Sequence, residues 1–350
     1  MIRAKVVKMS EDDLDREALS EAGEILRKGG LVAFPTETVY GLGGNGLDPS
    51  ASEKIYEAKG RPSDNPLIIH IARMEDLPPI VKEIPEKARR LAEACWPGPL
   101  TMIFYKSDIV PLETTGGLDT VAVRFPSNKI AQEMILAGGG YVAAPSANTS
   151  GRPSPTEAKH VEEDLGDKID MIIDGGSVDI GLESTIVDCT VDPPVILRPG
   201  YVNQDMLQQV ISRVGIDPGL SSEDENIRPK APGMKYRHYA PKAKLILVDG
   251  ADEKVAAYIC GQVQKKQAAG EQVGVICSGE TRAMYKEGQI RCIGRRQNEE
   301  EIAQHLYAVL RDFDEEDISL IYSETFNTPR IGSAIMNRLI KAAGHEIVEV

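Results

Sequence analysis

Apolar positions recur along this chain with two periods, and the elements begin and end where one period gives way to the other. Leu14, Ala18, Leu19, Ala22, Ile25 and Leu26 fall on one face at helical spacing before Gly29 and Gly30, so LDREALSEAGEILRKGG reads as a helix with a glycine stop. The strand LVAFPT follows, then the helix SASEKIYEAKG opened by a capping box of Ser50 and Glu53, then the compact apolar strand LIIHIA. PEKARRLAEACW, NKIAQEMILAG, TEAKHVEEDLG and NQDMLQQVISRVG continue as helices, and LTMIFY, TVAVRF, YVAAP, MIIDG, STIVDC and PVILRP as strands. Strands that follow one another directly imply a mixed sheet.

Residues 215–243, GIDPGLSSEDENIRPKAPGMKYRHYAPKA, have no apolar period and read as a linker. Beyond them the pattern changes. KLILVD, a helix over 252–269, QVGVICS, a short helix, IRCIG, a helix over 299–312, DISLIY, a helix over 332–343 and EIVEV alternate strictly, as parallel βαβ units do. The expected organisation is therefore a twisted mixed α/β domain over 1–214, a linker over 215–243 and a smaller Rossmann-like parallel α/β domain over 244–350.

Composition narrows the function. Apolar residues at 41% and charged ones at 27% are ordinary for a globular protein. The net charge of −14 is concentrated early: residues 1–205 hold 21 Lys and Arg against 33 Asp and Glu, and no basic run of five occurs. That disfavours direct binding of tRNA or other nucleic acid. Five widely spaced cysteines suggest neither a disulfide framework nor a zinc site, and no window is apolar enough to span or anchor to a membrane, so a cytoplasmic protein is expected.

GLGGNG at 41–46 matches the G-x-G-x-x-G dinucleotide fingerprint, but five residues separate Pro35 from Gly41 and LIIHIA ends without the acid that fingerprint needs. The stretch reads instead as a glycine-rich turn. The polar residues before it, Thr36, Glu37 and Thr38, lie at a strand end, where α/β sheets bind ligands. AKGRPSDNPLIIH groups Lys59, Arg61, Ser63 and Asn65 in a turn suited to phosphate oxygens. His70 in an apolar strand reads as a core histidine. Arg124, in TVAVRFP, needs either a structural ion pair or an anionic ligand. Ser146, Asn148, Ser150, Arg152 and Ser154 in AAPSANTSGRPS, Ser184 in GLESTIV and Arg198 in VILRPG mark further strand ends.

Taken in order, VAFPTETVYGLG, KGRPSDNPLIIHI, WPGPLT, LDTVAVRFP, AAPSANTSG, GLESTIVD, ILRPG and PGMKYRHYAP resemble the YrdC family in its longer, two-domain form, and GSAIMNRLIKAAG extends the match into the C-terminal domain. The resemblance implies a catalytic domain with a large concave cavity and a nucleotidyltransferase reaction. L-threonine, bicarbonate and ATP would give L-threonylcarbamoyladenylate and pyrophosphate, the first step toward N6-threonylcarbamoyladenosine at tRNA position 37, with a separate transferase complex acting downstream. It implies threonine contacts from Thr36, His70, Arg124, the Ala144 backbone and Ser184. ATP contacts would come from Lys59, Arg61, Asn65, Thr120, Ser146, Asn148, Ser154, Arg198 and Tyr236. Lys59 and Arg61 would stabilise charge, aided by a Mg²⁺ carried on the phosphates without a protein ligand. The linker, through Tyr236, His238 and Tyr239, is expected to close as a lid. Two rivals remain at this level, an RNA-binding or ribosome-assembly module and a carbamoyl-transfer enzyme of the hydrogenase-maturation type. The acidic balance opposes the first, and the lack of Cys-rich segments opposes the second.

Overall fold

The structure, a computed structural model, describes residues 3–221, 238–316 and 318–350. Two compact units emerge, one from the described residues of Met1–Ser150 and Ser154–Tyr236, the other from those of Gly151–Pro153 and Arg237–Val350. Among the described residues no helix is long and apolar enough to cross a membrane.

The first unit runs β1 (Lys5–Lys8), α1 (Arg16–Arg27), β2 (Val32–Phe34), β3 (Gly41–Asn45), α2 (Pro49–Lys59), β4 (Ile68–His70), α3 (Leu77–Ile80), α4 (Glu86–Cys95), β5 (Leu100–Tyr105) and β6 (Thr120–Arg124). It continues α5 (Lys129–Ala137), β7 (Val142–Ala143), α6 (Ala158–Leu165), β8 (Met171–Asp174), β9 (Thr185–Asp188), β10 (Val195–Arg198), α7 (Gln204–Ile211) and β11 (Gly215–Ile216). One mixed sheet takes the order β1-β8-β2-β3-β7-β4-β6-β5-β9-β10-β11. β11 pairs in parallel with β10, so the start of the stretch read as linker still belongs to this sheet.

Helices cover the two halves of the sheet differently. Around β2, β8 and β7, Leu19, Leu26 and Met134 from α1 and α5 pack on one face, while Ile55 and Val161 from α2 and α6 pack on the other. Under β4, β6, β5 and β9, Leu77, Leu91, Leu207 and Ile211 join Ile69, Val123, Met102 and Val187 in one core. The opposite face of that half holds a small apolar floor, Ile68, Ile103, Ala122, Ile186 and Leu197. Polar side chains share it.

Two local expectations are corrected. The capping box proposed for Ser50 and Glu53 does not form; Asp48 is the N-cap of α2 and accepts the Ser50 N–H at 2.9 Å. Pro49 occupies the first helical position, where a missing N–H is no loss, and so moves the cap back two residues. The glycine stretch is a strand rather than a turn, β3, paired with β2 and β7. A Cβ at Gly43 would meet Val142 Cγ1 at 2.8 Å and Phe34 at 3.1 Å, and one at Gly44 would meet Ile55 at 3.0 Å. Glycine is there because neighbours on both faces already fill the space.

The second unit runs β12 (Lys244–Asp249), α8 (Asp252–Ala268), β13 (Val273–Cys277), β14 (Gln289–Cys292), α9 (Glu299–Asp312), β15 (Leu320–Glu324), α10 (Gly332–Ala342) and β16 (Ile347–Glu349). Its sheet, β14-β13-β15-β12-β16, is parallel throughout. The element expected after β13 is a single 3₁₀ turn, Arg282–Met284.

At Gly23 in α1, an added Cβ would sit 2.4 Å from Ala137 O at the end of α5. Alanine gains about 1 kcal/mol of helix propensity over glycine, but overpacking against backbone costs about 1–3 kcal/mol and should prevail. Gly23→Ala is expected to lower the thermal midpoint of the first unit by a few degrees; an unchanged or raised midpoint would refute this close α1–α5 contact.

Candidate active site

Strand register sets the centre of the site. His70 on β4 lies opposite Arg124 on β6, and Arg124 lies opposite Thr101 on β5. Side chains two apart share a face, so these three stand on the same side as the apolar floor of Ile68, Ala122 and Ile103. Thr101 Oγ1 lies 2.7 Å from Ser184 Oγ at the entry to β9. Arg198, ending β10, donates from Nε to Ser184 O at 3.0 Å and from Nη2 to Ser184 Oγ at 3.2 Å. One buried guanidinium, Arg198, is thus tied to a pair of hydroxyls, and the other, Arg124, stands opposite the Thr101 end of that pair in strand register.

Arg124 faces an acid. Its Nη2 lies 2.8 Å from Glu37 Oε1, and the two residues are only 4% and 6% exposed. The pair is held by charge and proximity: neither Glu37 oxygen accepts a well-aligned hydrogen bond, and Arg124 Nε and Nη2 donate none. Four strand spacings separate β2 from β6, roughly 19 Å in a flat sheet, so contact at 2.8 Å requires the chain after β2 to fold back over the sheet face. That lays the Glu37 loop over the face that carries Arg124. The ion pair expected as one reading of Arg124 is present, and its partner is one of the polar strand-end residues, Glu37, which the sequence marked without pairing it to Arg124.

The loop carrying Glu37 is tightly built. Thr36 Oγ1 donates to Val39 O at 2.7 Å and accepts the Thr38 N–H at 3.1 Å. Ile180 N donates to Glu37 O at 2.9 Å, and Gly181, at φ 81°, donates to Thr38 O at 3.1 Å. His70 packs edge-on against Phe34, with ring centroids 6.1 Å apart, and its Nδ1 lies 3.1 Å from Ile68 O. Burial, then the adjacent Arg124 charge, pushes this imidazole from the ordinary 6.5 down to about 3. It is neutral in the working range. Ala144, just past β7, donates its N–H to Ile68 O at 2.8 Å.

The residues expected at ATP form a second group. Lys59, closing α2, donates from Nζ to Ser146 O and Asn148 O at 2.5 Å each, and Ser146 Oγ donates to Asn148 Oδ1 at the same distance. Arg61 holds its own turn through Asn65 O at 3.2 Å and Pro66 O at 3.1 Å. Asn65 is buried with its Oδ1 unpartnered. Ser154 Oγ donates to Glu183 Oε1 at 2.5 Å. Thr120 opens β6, half-buried, opposite Tyr105. The 145–147 segment is tied to the Thr36 loop's continuation, Leu42 N donating to Pro145 O and Ala147 N to Tyr40 O, both at 2.8 Å.

Tyr236 and most of the expected lid lie outside the described residues. His238 and Tyr239 belong to the second unit, where Tyr239 stacks on Tyr307 at 5.4 Å. Arg152 also belongs there and pairs with Asp314 at 3.0 Å. Sequence reasoning placed Glu37 at a ligand-facing strand end without its pairing to Arg124, and it missed Thr101 and Glu183. Thr101 carried one usable signal, a hydroxyl inside an apolar strand.

The chain matches the family model described as telomere recombination over residues 24–200 and the one described as threonylcarbamoyl-AMP synthase, C-terminal domain, over 202–344. The threonylcarbamoyl-AMP synthase of Pyrococcus abyssi is 49% identical across 94% of this chain and 95% of its own. That of Bacillus subtilis is 46% identical across 94% of each. The solved structure of Pyrococcus abyssi Sua5 complexed with L-threonine aligns with a TM-score of 0.93 at 46% identity, covering 100% of both chains.

His70 binds fewer protons when folded than when unfolded. Its contribution to stability is therefore complete above about pH 6.5 and is lost as pH falls toward 3, at up to about 1.4 kcal/mol per pH unit. His70→Gln should flatten the pH dependence of urea unfolding between pH 4 and 6.5. An unaltered slope would show that the imidazole titrates normally.

Proposed function

The chain belongs to the threonylcarbamoyl-AMP synthase family, and we propose that its first unit joins L-threonine, bicarbonate and ATP into L-threonylcarbamoyladenylate, releasing pyrophosphate. The product is the activated carbamoyl donor for N6-threonylcarbamoyladenosine at tRNA position 37, and a separate transferase complex consumes it. The observation that carries this reading is one face of the sheet on which Arg124 stands opposite Thr101 in strand register, while the Thr101 hydroxyl meets Ser184 and Ser184 meets Arg198. A cation for a carboxylate near a cation for a phosphate is what an amino-acid carbamate attacking an α-phosphorus requires.

Threonine would place its carboxylate at Arg124, with Thr36, the neutral His70, the Ala144 backbone and Ser184 around the remainder. No side-chain nucleophile is needed, since the carbamate oxygen itself displaces pyrophosphate. Lys59, Arg61 and Arg198 would offset charge on the phosphates, while Asn65, Thr120, Ser146, Asn148 and Ser154 orient the nucleotide. Carbonyl anchors fix the direction of Lys59 and Arg61 before ATP arrives. The hydroxyl and amide groups near the phosphate position suit a Mg²⁺ that keeps its water and is held by the phosphates. That ion would neutralise part of the triphosphate charge.

Incubating the protein with bicarbonate, Mg²⁺ and labelled ATP should give pyrophosphate release that depends on L-threonine. Release no greater than the threonine-free background would overturn the assignment. Arg124→Gln should raise the KM for threonine by about 100-fold, as expected for losing one partner of a buried charge pair, while ATP binding is retained.

A further inference from the structure

Glu37 has no task in the reaction as derived so far, yet it is one of the least solvent-exposed acids in the first unit. A buried carboxylate is costly unless paired and hydrogen-bonded. Here it has the ion pair with Arg124 at 2.8 Å, and among the described residues no hydrogen bond reaches either oxygen. Arg124 is left in the same condition at Nε and Nη2. Both backbones are anchored, that of Arg124 in β6 between β4 and β5 and that of Glu37 by Ile180 N and the Thr36 turn, so the pair can part only by turning its side chains. Two opposite charges, both dry and both short of hydrogen bonds, face one another at 2.8 Å over the sheet.

This arrangement is the charge complement of an amino-acid zwitterion. Inserted between the two, the substrate's carboxylate would answer the guanidinium and its ammonium would answer the carboxylate, leaving the site neutral before and after. Neutral His70 beside Arg124 adds no competing charge. We propose that Glu37 is the subsite for the substrate's α-ammonium group and the base that removes its proton, the Glu37–Arg124 pair opening head to tail as threonine enters. The inference rests on the assignment of Arg124 to the threonine carboxylate.

The chemistry balances with the reactants already named. Glu37 takes one proton from the ammonium. The freed lone pair forms the N–C bond to the bicarbonate carbon, whose C–OH bond breaks and leaves as water with a second amine proton. The carbamate keeps the remaining N–H, and Glu37 returns its proton to solvent. A hydroxy acid in place of threonine would leave Glu37 buried without a cation, so the subsite also selects for the amine.

The test compares calorimetric binding of L-threonine with that of 2,3-dihydroxybutanoate, which keeps the carboxylate and side chain but carries a hydroxyl for the ammonium. The unaltered protein should favour threonine by about 100-fold or more, and equal affinities overturn the proposal with no variant needed. Glu37→Gln should bring the two within about threefold, while Glu37→Asp retains the preference; a preference undiminished in Glu37→Gln also overturns it. For the base, pyrophosphate release at saturating threonine should climb about tenfold per pH unit between pH 7 and 9 in Glu37→Gln and stay nearly flat in the unaltered enzyme. Parallel profiles refute that role. Failure of the unaltered protein to bind threonine at all would instead sink the functional assignment.

Discussion

A guanidinium held in an interior strand of a sheet must be faced by opposite charge, and much of the first unit can be understood from that requirement. Arg124 stands in β6 with paired strands on either side, where water cannot screen it. Its partner comes from a loop four strands away, so the chain after β2 must fold over the sheet. The helices lie accordingly. They cover both faces of the β2–β7 half but build the larger core on only one face of the β4–β9 half, leaving the other for the polar row.

The remaining cations of the site obey a different rule. Lys59, Arg61 and Arg198 direct donors to backbone carbonyls of the loops they order. A carbonyl fixes the direction of a cation and, in return, the cation fixes the loop. Lys59 in this way couples the last turn of α2 to the 146–148 segment, so polar groups from distant parts of the sequence share one rigid frame.

Much of this was legible in the sequence. The second unit followed from strict alternation, because buried parallel strands such as β13 are apolar throughout and helices such as α9 carry a clear 3.6-residue period. The positions of Thr36, Arg124, Ser184 and Arg198 at strand ends were legible for the same reason. Other features left no local trace. β1 has charged ends and mostly exposed side chains, β3 is glycine-rich and so low in strand propensity, and β11 is two residues inside a polar stretch. The Glu37–Arg124 contact could not be read because it depends on how the sheet curves, which no single segment encodes. His70 looked like a core histidine, and electrostatically it behaves as one, while its register beside Arg124 sets it within the site.

The glycines of β3 have a consequence beyond packing. With no side chain at Gly41, the Phe34 ring packs so close that a Cβ there would lie only 3.1 Å from it, and that ring meets His70 edge-on. The ring that packs against the imidazole thus has its room from a place where the chain has no side chain. Emptiness at one position works here as an instruction for another, so the part of GLGGN that matters most for the chemistry is what it omits.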